Sequence, residues 1–281
     1  MRFFSPDDKY LQQIKDMCVK CFDMEMDEVD YIFEQKYLSA DICYAIEEDE
    51  RLCCMLFTVP CAMMLDGKLR KGHYIYGACT LPEYRHRGFM HRLIDYANTM
   101  ASDKGDEFSV LLPASKPLYD FYTDMGYRTL YTAKNEVMSK DKLPDMSVAL
   151  EYYTEVLPEK IEKLRNSLCC KYSGSVIYSK NILKYAVSYA KECDGGIVYC
   201  DDGYVIYAYN ESRLVVLELM CEGNAILNML AILKRLCKTD EMLLRMPPWL
   251  ADECDSFGMI KNLADINTEE FYKPYLGLVF D

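Results

Sequence analysis

The chain has 281 residues, enough for two domains of ordinary size, and its 51% hydrophobic and 27% charged residues are the balance of a folded globular protein, not a disordered one. A net charge of −13, shared evenly by the two halves, repels nucleic acid and anionic lipid at long range, so neither is an expected partner, and it mildly favours cationic ones. Apolar stretches such as Met55–Pro60 and Cys61–Leu65 fall far short of the roughly 20 residues that span a bilayer, and no basic segment followed by an apolar one opens the sequence; a cytoplasmic protein is expected.

Ser5-Pro6-Asp7-Asp8 has the form of a helix start, with a capping serine, proline at the first helical position and acids in the first turn; the helix it opens is predicted to reach Phe22. A second helix is predicted over Glu28–Tyr37. Residues Ile42–Glu47 and Leu52–Met64 are β-rich, the latter ending in a turn at Asp66-Gly67-Lys68, and His73–Thr80 is a further strand. Phe89–Ser102 places Met90, Leu93, Ile94, Ala97 and Ala101 on one helical face. A short strand, Phe108–Leu112, precedes a helix over Lys116–Met125 closed by Gly126, and Tyr127–Val137 returns as a strand.

Met138–Met146 reads as a linker between domains at 1–139 and 147–281. Beyond it come strands at Gly196–Tyr199, Tyr204–Tyr209 and Leu214–Met220, a helix at Asn224–Cys237, a strand at Met242–Met246, and a short helix at Trp249–Phe257 before Gly258. The same β-α-β-α order in both halves, with glycine and proline landmarks at similar spacing, suggests a duplicated α/β (α+β) fold: a central mixed sheet flanked by helices, occurring twice.

Fourteen cysteines fit a reducing compartment, where buried thiols pack as small hydrophobes. Of the close pairs Cys18/Cys21, Cys53/Cys54 and Cys169/Cys170, only the first has C-x-x-C spacing. No second pair or nearby histidine completes a tetrahedral metal site, so packing is the expected role.

The chemistry concentrates in Pro82-Glu83-Tyr84-Arg85-His86-Arg87-Gly88-Phe89-Met90, between a predicted strand and an amphipathic helix. A turn there directs successive backbone N–H groups into one concavity at the positive end of a helix dipole, which suits a diphosphate. Gly88 permits close backbone approach, and Arg85 and Arg87 add positive charge.

This loop resembles the acyl-CoA signature R/Q-x-x-G-x-G/A of the GNAT N-acetyltransferase superfamily, here Arg85-x-x-Gly88-x-Met90, with methionine where the family has a small residue. The run Leu118–Tyr127 is similar to the family's Y-x-x-x-G-F/Y ending, with Tyr122 four residues before Gly126. The resemblance implies a GNAT-like fold and acetyl-CoA as co-substrate. It implies that Cys79, Thr80 and Leu81 offer backbone groups to the pantetheine arm. It implies that Arg85, His86, Arg87, Gly88, Phe89 and Met90 bind the pyrophosphate, that Ser115 contacts the cofactor where the family often has asparagine, and that Tyr122 protonates the leaving thiolate.

The expected function is acetyl transfer to a primary amine, small-molecule or peptidyl. The acidic surface suits polyamines, aminoglycosides or lysine-rich peptides. The alternative is a non-catalytic acyl-CoA-binding sensor or scaffold. Aminoacyl transfer from charged tRNA is disfavoured, because that partner needs a basic track. The base that deprotonates the amine is open between Glu83, His73, water and the terminal carboxylate of Asp281, which some multi-domain members of the superfamily place in the active site. Tyr119 and Tyr127 are expected in the core. In the second half Glu222, in Met220-Cys221-Glu222-Gly223-Asn224, stands where the arginine loop should be, and Cys254 matches Tyr122; that half is expected to bind no cofactor.

Overall fold

A computed structural model describes residues 1–145, 151–210 and 212–278. The chain begins with β1 (Arg2–Phe4), α1 (Leu11–Phe22), α2 (Met26–Glu34), β2 (Cys43–Glu48), β3 (Arg51–Leu65), β4 (Lys68–Thr80), α3 (Phe89–Asp103), β5 (Phe108–Leu111), α4 (Lys116–Thr123) and the two-residue β6 (Arg128–Thr129). It continues with β7 (Thr132–Ser139), α5 (Pro158–Cys169), β8 (Val176–Ile177), α6 (Lys180–Glu192), β9 (Gly196–Cys200), β10 (Gly203–Tyr209), β11 (Leu214–Cys221), α7 (Ala225–Leu236), β12 (Glu241–Met246), β13 (Asp255–Ser256) and β14 (Met259–Asn262).

These elements form two compact units with interleaved segments. The first comprises Met1–Ala62, Arg70–Arg128 and Met259–Asn267, and the second Met63–Leu69, Thr129–Gly258 and Thr268–Asp281. In the first unit the sheet runs β1-β2-β3-β4-β5-β14, with β4 and β5 parallel and β14 antiparallel to β5. In the second, β9, β10 and β11 form an antiparallel meander, β12 joins parallel to β11, and β7 lies antiparallel beside β12. Each unit therefore follows one plan: two helices, a three-stranded meander, a crossover helix, a parallel strand, then a final antiparallel strand. The final strand comes from the other half of the sequence in both cases, so Thr132–Ser139, assigned to residues 1–139 by the sequence division, belongs to the second unit. A short strand takes its place where edge hydrogen bonds are open, and that is a long-range pairing.

Each core follows from pattern. Leu93, Ile94 and Ala97 of α3 pack with Tyr44, Ile46, Leu56 and Ile75 of the sheet in the first unit, and Met229, Ile232 and Leu233 of α7 pack with Val205, Val216, Leu219 and Leu244 in the second. The second core also buries Arg165 and Glu218, both 0% exposed, joined at 3.2 Å, with Tyr204 donating to the same carboxylate.

Several predicted elements differ. Residues Asp8–Tyr10 form a 3-10 turn and α1 begins only at Leu11, because the chain first pairs as β1. The second helix opens earlier, at Met26, on a reciprocal cap between Glu25 and Glu28. No helix spans Trp249–Phe257: Leu250 closes a single turn on Pro247 at 3.0 Å, and Asp255–Ser256 pair with β7 as β13 instead. The strand predicted over Tyr127–Val137 breaks at Leu130–Tyr131, whose N–H groups both donate to Gly258 C=O at 3.2 and 3.3 Å. Within Met138–Met146, Met138 and Ser139 end β7, and Met146 lies outside the described residues.

Tyr275, Leu276 and Leu278 are buried near the chain end, not as a regular strand but held by Val176 N–H to Tyr275 C=O at 2.9 Å. Asp281, a candidate base, lies outside the described residues. No helix among the described residues is long and apolar enough to cross a membrane.

Candidate active site in the first unit

β4 and β5 pair only over Gly72–Tyr74 and Phe108–Val110. Past that point the strands part, while β5 turns its other edge to β14 along its whole length. The distal end of β4 thus presents backbone groups on one side that no strand among the described residues satisfies, and Tyr76, Gly77, Ala78 and Thr80 are part-exposed there.

Gly77 sharpens this opening. Its φ of +58° inside a strand marks a local bulge, and a Cβ there would lie 3.1 Å from the ring of Phe57. Beyond it, Leu81 N–H donates to Cys53 C=O on β3 at 2.9 Å. Backbone groups alternate sides along a strand, so Leu81 and Cys79 face β3 while Ala78 and Thr80 face the opening. Of Cys79, Thr80 and Leu81, Thr80 alone presents its backbone to the opening, and Ala78, which the sequence did not single out, does so too. A glycine isolated within a strand pattern was the available signal.

The loop follows directly. A 3-10 turn at Pro82–Tyr84 leads to Arg85, then His86 at φ +60° and Gly88 at φ +72°, the residue before α3. Gly88 makes no side-chain cap, and the first helical bond, Arg92 N–H to Gly88 C=O, leaves the N–H groups of Phe89, Met90 and His91 without helical acceptors. A Cβ on Gly88 would meet nothing within 4 Å, so backbone conformation, not space, requires glycine. Met90 packs its side chain against the core on the α3 side.

The arginines are held in different ways. Arg85 Nε donates to Thr80 C=O at 3.1 Å, which bends the loop back to the strand end. Arg87 pairs with Glu48 at 3.0 Å and lies over the rings of Phe89 at 4.6 Å and Tyr84 at 5.4 Å.

Tyr122, on α4, is 8% exposed and belongs to the same buried cluster as Ile75 and Leu111, the residues at the parting of the strands. Its ring meets Phe121 at 5.2 Å and Tyr127 at 5.9 Å, and burial pushes its phenol up to about 12. Ser115 precedes α4 with its side chain exposed and makes no capping bond.

The base candidates are engaged elsewhere. Glu83 pairs with Arg51 at 3.1 Å and Lys20 at 3.6 Å, and its own backbone N–H, with these cations, holds the carboxyl below its usual range, making it a weaker base. His73 is buried, with Nδ1 2.8 Å from Asp106 and Nε2 3.1 Å from Asn98. Asn98 also donates to Tyr127, whose hydroxyl lies 2.7 Å from Ser109. That network satisfies buried polar groups behind the sheet, and Tyr127 serves it. Tyr119 packs against the first core from a part-buried position.

The matching position of the second unit is closed. β11 and β12 also pair only briefly, over Leu214–Val215 and Met242–Leu243, but Trp249 Nε1 donates to Cys221 C=O at 2.9 Å, at the end of β11. Tyr172 stacks on Trp249 at 4.1 Å and 7°, and Lys171 and Tyr172 both bind Glu222. Among the described residues no group of histidine, cysteine and carboxylate side chains could hold a metal ion.

Comparison with known proteins agrees with this geometry. Residues 5–130 match the model of the Acetyltransferase (GNAT) domain family. Solved structures share the fold across both units. A GCN5-related N-acetyltransferase from Anabaena variabilis superposes with a TM-score of 0.78 at 16% identity, covering 93% of this chain and 72% of that one. One from Kribbella flavida gives 0.72 at 16% identity with the same coverage, and Eis1 from Mycobacterium abscessus gives 0.66 at 13%, covering 93% and 73%. No curated protein matches the sequence. The fold is thus the expected mixed α/β arrangement of two sheets flanked by helices, and the family's activity is acyl transfer.

Proposed function

We propose that the first unit transfers an acetyl group from acetyl-CoA to a primary amine of a small-molecule or peptidyl acceptor, by direct attack, with Tyr122 as general acid. The parting of β4 from β5 carries this reading. It opens strand backbone beside the donor-rich start of α3, and Tyr122 belongs to the cluster at that parting. The pyrophosphate fits the N–H groups of Phe89 and Met90 with Arg85 and Arg87 beside them; the pantetheine amides fit Ala78 and Thr80. A backbone N–H on this edge polarises the thioester carbonyl as the tetrahedral oxyanion develops.

Magnitudes bear on the proton. A phenol near 12 protonating a thiolate of ordinary pKa, about 8.5, is uphill by about 5 kcal/mol at ~1.4 kcal/mol per unit. Apolar surroundings raise a thiolate's proton affinity as they raise a phenol's, so a thiolate leaving beside the buried cluster narrows that gap. Water is the base in this reading, since Glu83 and His73 are held in other pairs.

The protein is read as cytoplasmic, acting on an amine acceptor for which its acidic surface favours positive charge, with no nucleic-acid or membrane partner. A free-thiol release assay with acetyl-CoA across polyamines, aminoglycosides and lysine-rich peptides tests the reading; release with at least one amine supports it. The engagement of Glu83 and His73 favours a second reading, an acyl-CoA-binding sensor, which predicts acetyl-CoA binding by calorimetry with no acceptor-dependent release.

A further inference from the structure

Packing alone directs the side chain of Tyr122. Its hydroxyl makes no hydrogen bond among the described residues. Two aromatic rings pack on it: Phe121, its neighbour on α4, and Tyr127, which meets it edge-on at 5.9 Å and 70°. Tyr127 also reaches it through the backbone. Gly126, at φ +85°, turns the chain back at the end of α4, and the Tyr127 N–H then donates to Tyr122 C=O at 3.1 Å.

Tyr127 is itself locked in place. Asn98 Nδ2 on α3 donates to its hydroxyl at 3.1 Å, and that hydroxyl lies 2.7 Å from Ser109 Oγ on β5. Asn98 Oδ1 faces His73 Nε2 on β4 at 3.1 Å, and His73 Nδ1 lies 2.8 Å from Asp106. His73 and Ser109 are register partners in the middle of the short β4–β5 pairing. The chain of bonds thus leaves β4, crosses α3, passes through the phenol of Tyr127 and returns to β5 opposite its start. His73, Asn98, Ser109 and Tyr127 are at most 4% exposed, so their bonds are shielded from water and costly to break. The need to satisfy buried groups does not explain this hydroxyl, since phenylalanine at 127 would pack as well and bring no polar atom.

We propose that Tyr127 is the positioning residue for Tyr122: bonds rooted at the parting of β4 and β5 hold its ring still, and that ring holds the Tyr122 phenol in register with the opening. The effect on turnover rests on the reading of Tyr122 as general acid; the placement of the ring does not. A proton donor works only within hydrogen-bond reach of the leaving sulfur, and a misplacement of about 1 Å costs on the order of 100-fold in rate. Tyr127→Phe keeps the edge contact but frees the ring from Asn98 and Ser109, so Tyr122 gains room to turn away.

The test is a double-mutant cycle on the full chain in the thiol-release assay. Tyr127→Phe should lower kcat about tenfold with acetyl-CoA affinity changed less than about twofold, and in a Tyr122→Phe background it should lower the rate less than about twofold. An equal loss in the two backgrounds means a structural role and overturns the proposal. Ser109→Ala removes one of the bonds to Tyr127 and keeps its ring; it should give a smaller loss in the same cycle, and it serves where Tyr127→Phe folds poorly. N-acetylimidazole, which O-acetylates accessible tyrosines, reads the ring without turnover. After cleavage at arginine, Tyr119 and Tyr122 share the peptide Leu93–Arg128. Tyr122 should acetylate about fivefold faster in Tyr127→Phe, with Tyr119 unchanged as internal reference; an unchanged Tyr122 overturns the positioning. Full turnover in Tyr122→Phe, or none with any amine in the parent, counts against the acid assignment alone, since the modification rates still decide what holds the ring.

Discussion

Arg87 of the cofactor loop and Glu48, the last residue of β2, form a two-point ion pair, Nη1 to Oε2 at 3.0 Å and Nη2 to Oε1 at 3.1 Å. The carboxylate occupies the face of the guanidinium that a phosphate would use, and the pair is partly exposed, so it is worth less than about 1 kcal/mol. Glu48→Gln should therefore tighten CoA binding about two- to fivefold, with a steeper salt dependence, in calorimetry. Weaker binding would mean that Glu48 serves to orient Arg87.

Tyr122→Phe removes the hydroxyl, and with it the acidic proton, while keeping the packed ring. Turnover in the thiol-release assay should fall about 100-fold or more with acetyl-CoA affinity retained. Because burial raises the folded phenol from 10 to about 12, the native state holds its proton where the unfolded chain has lost it. The stabilisation is full below about pH 10 and is lost as pH rises towards about 12. Alkaline denaturation should accordingly be less steep in Tyr122→Phe than in the parent over that window.

Gly77 and Gly88 are both left-handed, but their surroundings separate them. Alanine at 88 meets open space and should cost about 1 kcal/mol in urea unfolding, from backbone conformation alone. Alanine at 77 adds the 3.1 Å approach to Phe57 and should cost about 2 kcal/mol. It should also weaken acetyl-CoA binding, since the bulge sets which backbone groups beyond it face the opening.

One acetyl-CoA should bind per chain. In the second unit Glu222 opposes a diphosphate, and Trp249 already occupies the carbonyl at the end of β11. Calorimetric stoichiometry of two would show that the Trp249–Tyr172 stack can open.

The parts of the site that depend on neighbouring residues were legible in the sequence. Arg85, Gly88 and the amphipathic face of α3 lie within one loop and one helix, and Tyr122 sits at a fixed spacing from Gly126, so the order strand, loop, helix, strand, helix could be read from local pattern. Helix starts were less secure. Ser5-Pro6 has every local sign of a cap, yet β1 ends only at Phe4, the first helical turn is a 3-10 turn at Asp8–Tyr10, and α1 begins at Leu11, so a capping preference worth about 1 kcal/mol did not set the start.

By its sequence alone this chain specifies an arginine- and glycine-bearing loop between a strand and an amphipathic helix, two halves on one plan, and a second half with Glu222 in place of that loop, since each is a matter of residue type at short spacing. Only the tertiary structure decided that β7 and β14 complete the sheets of opposite halves, that Ala78 and Thr80 turn their backbone to the opening, and that Trp249 closes the second one. Each of these depends on groups far apart in the chain. Open strand edges accept any partner that satisfies them, so the choice is made by packing and not by local pattern.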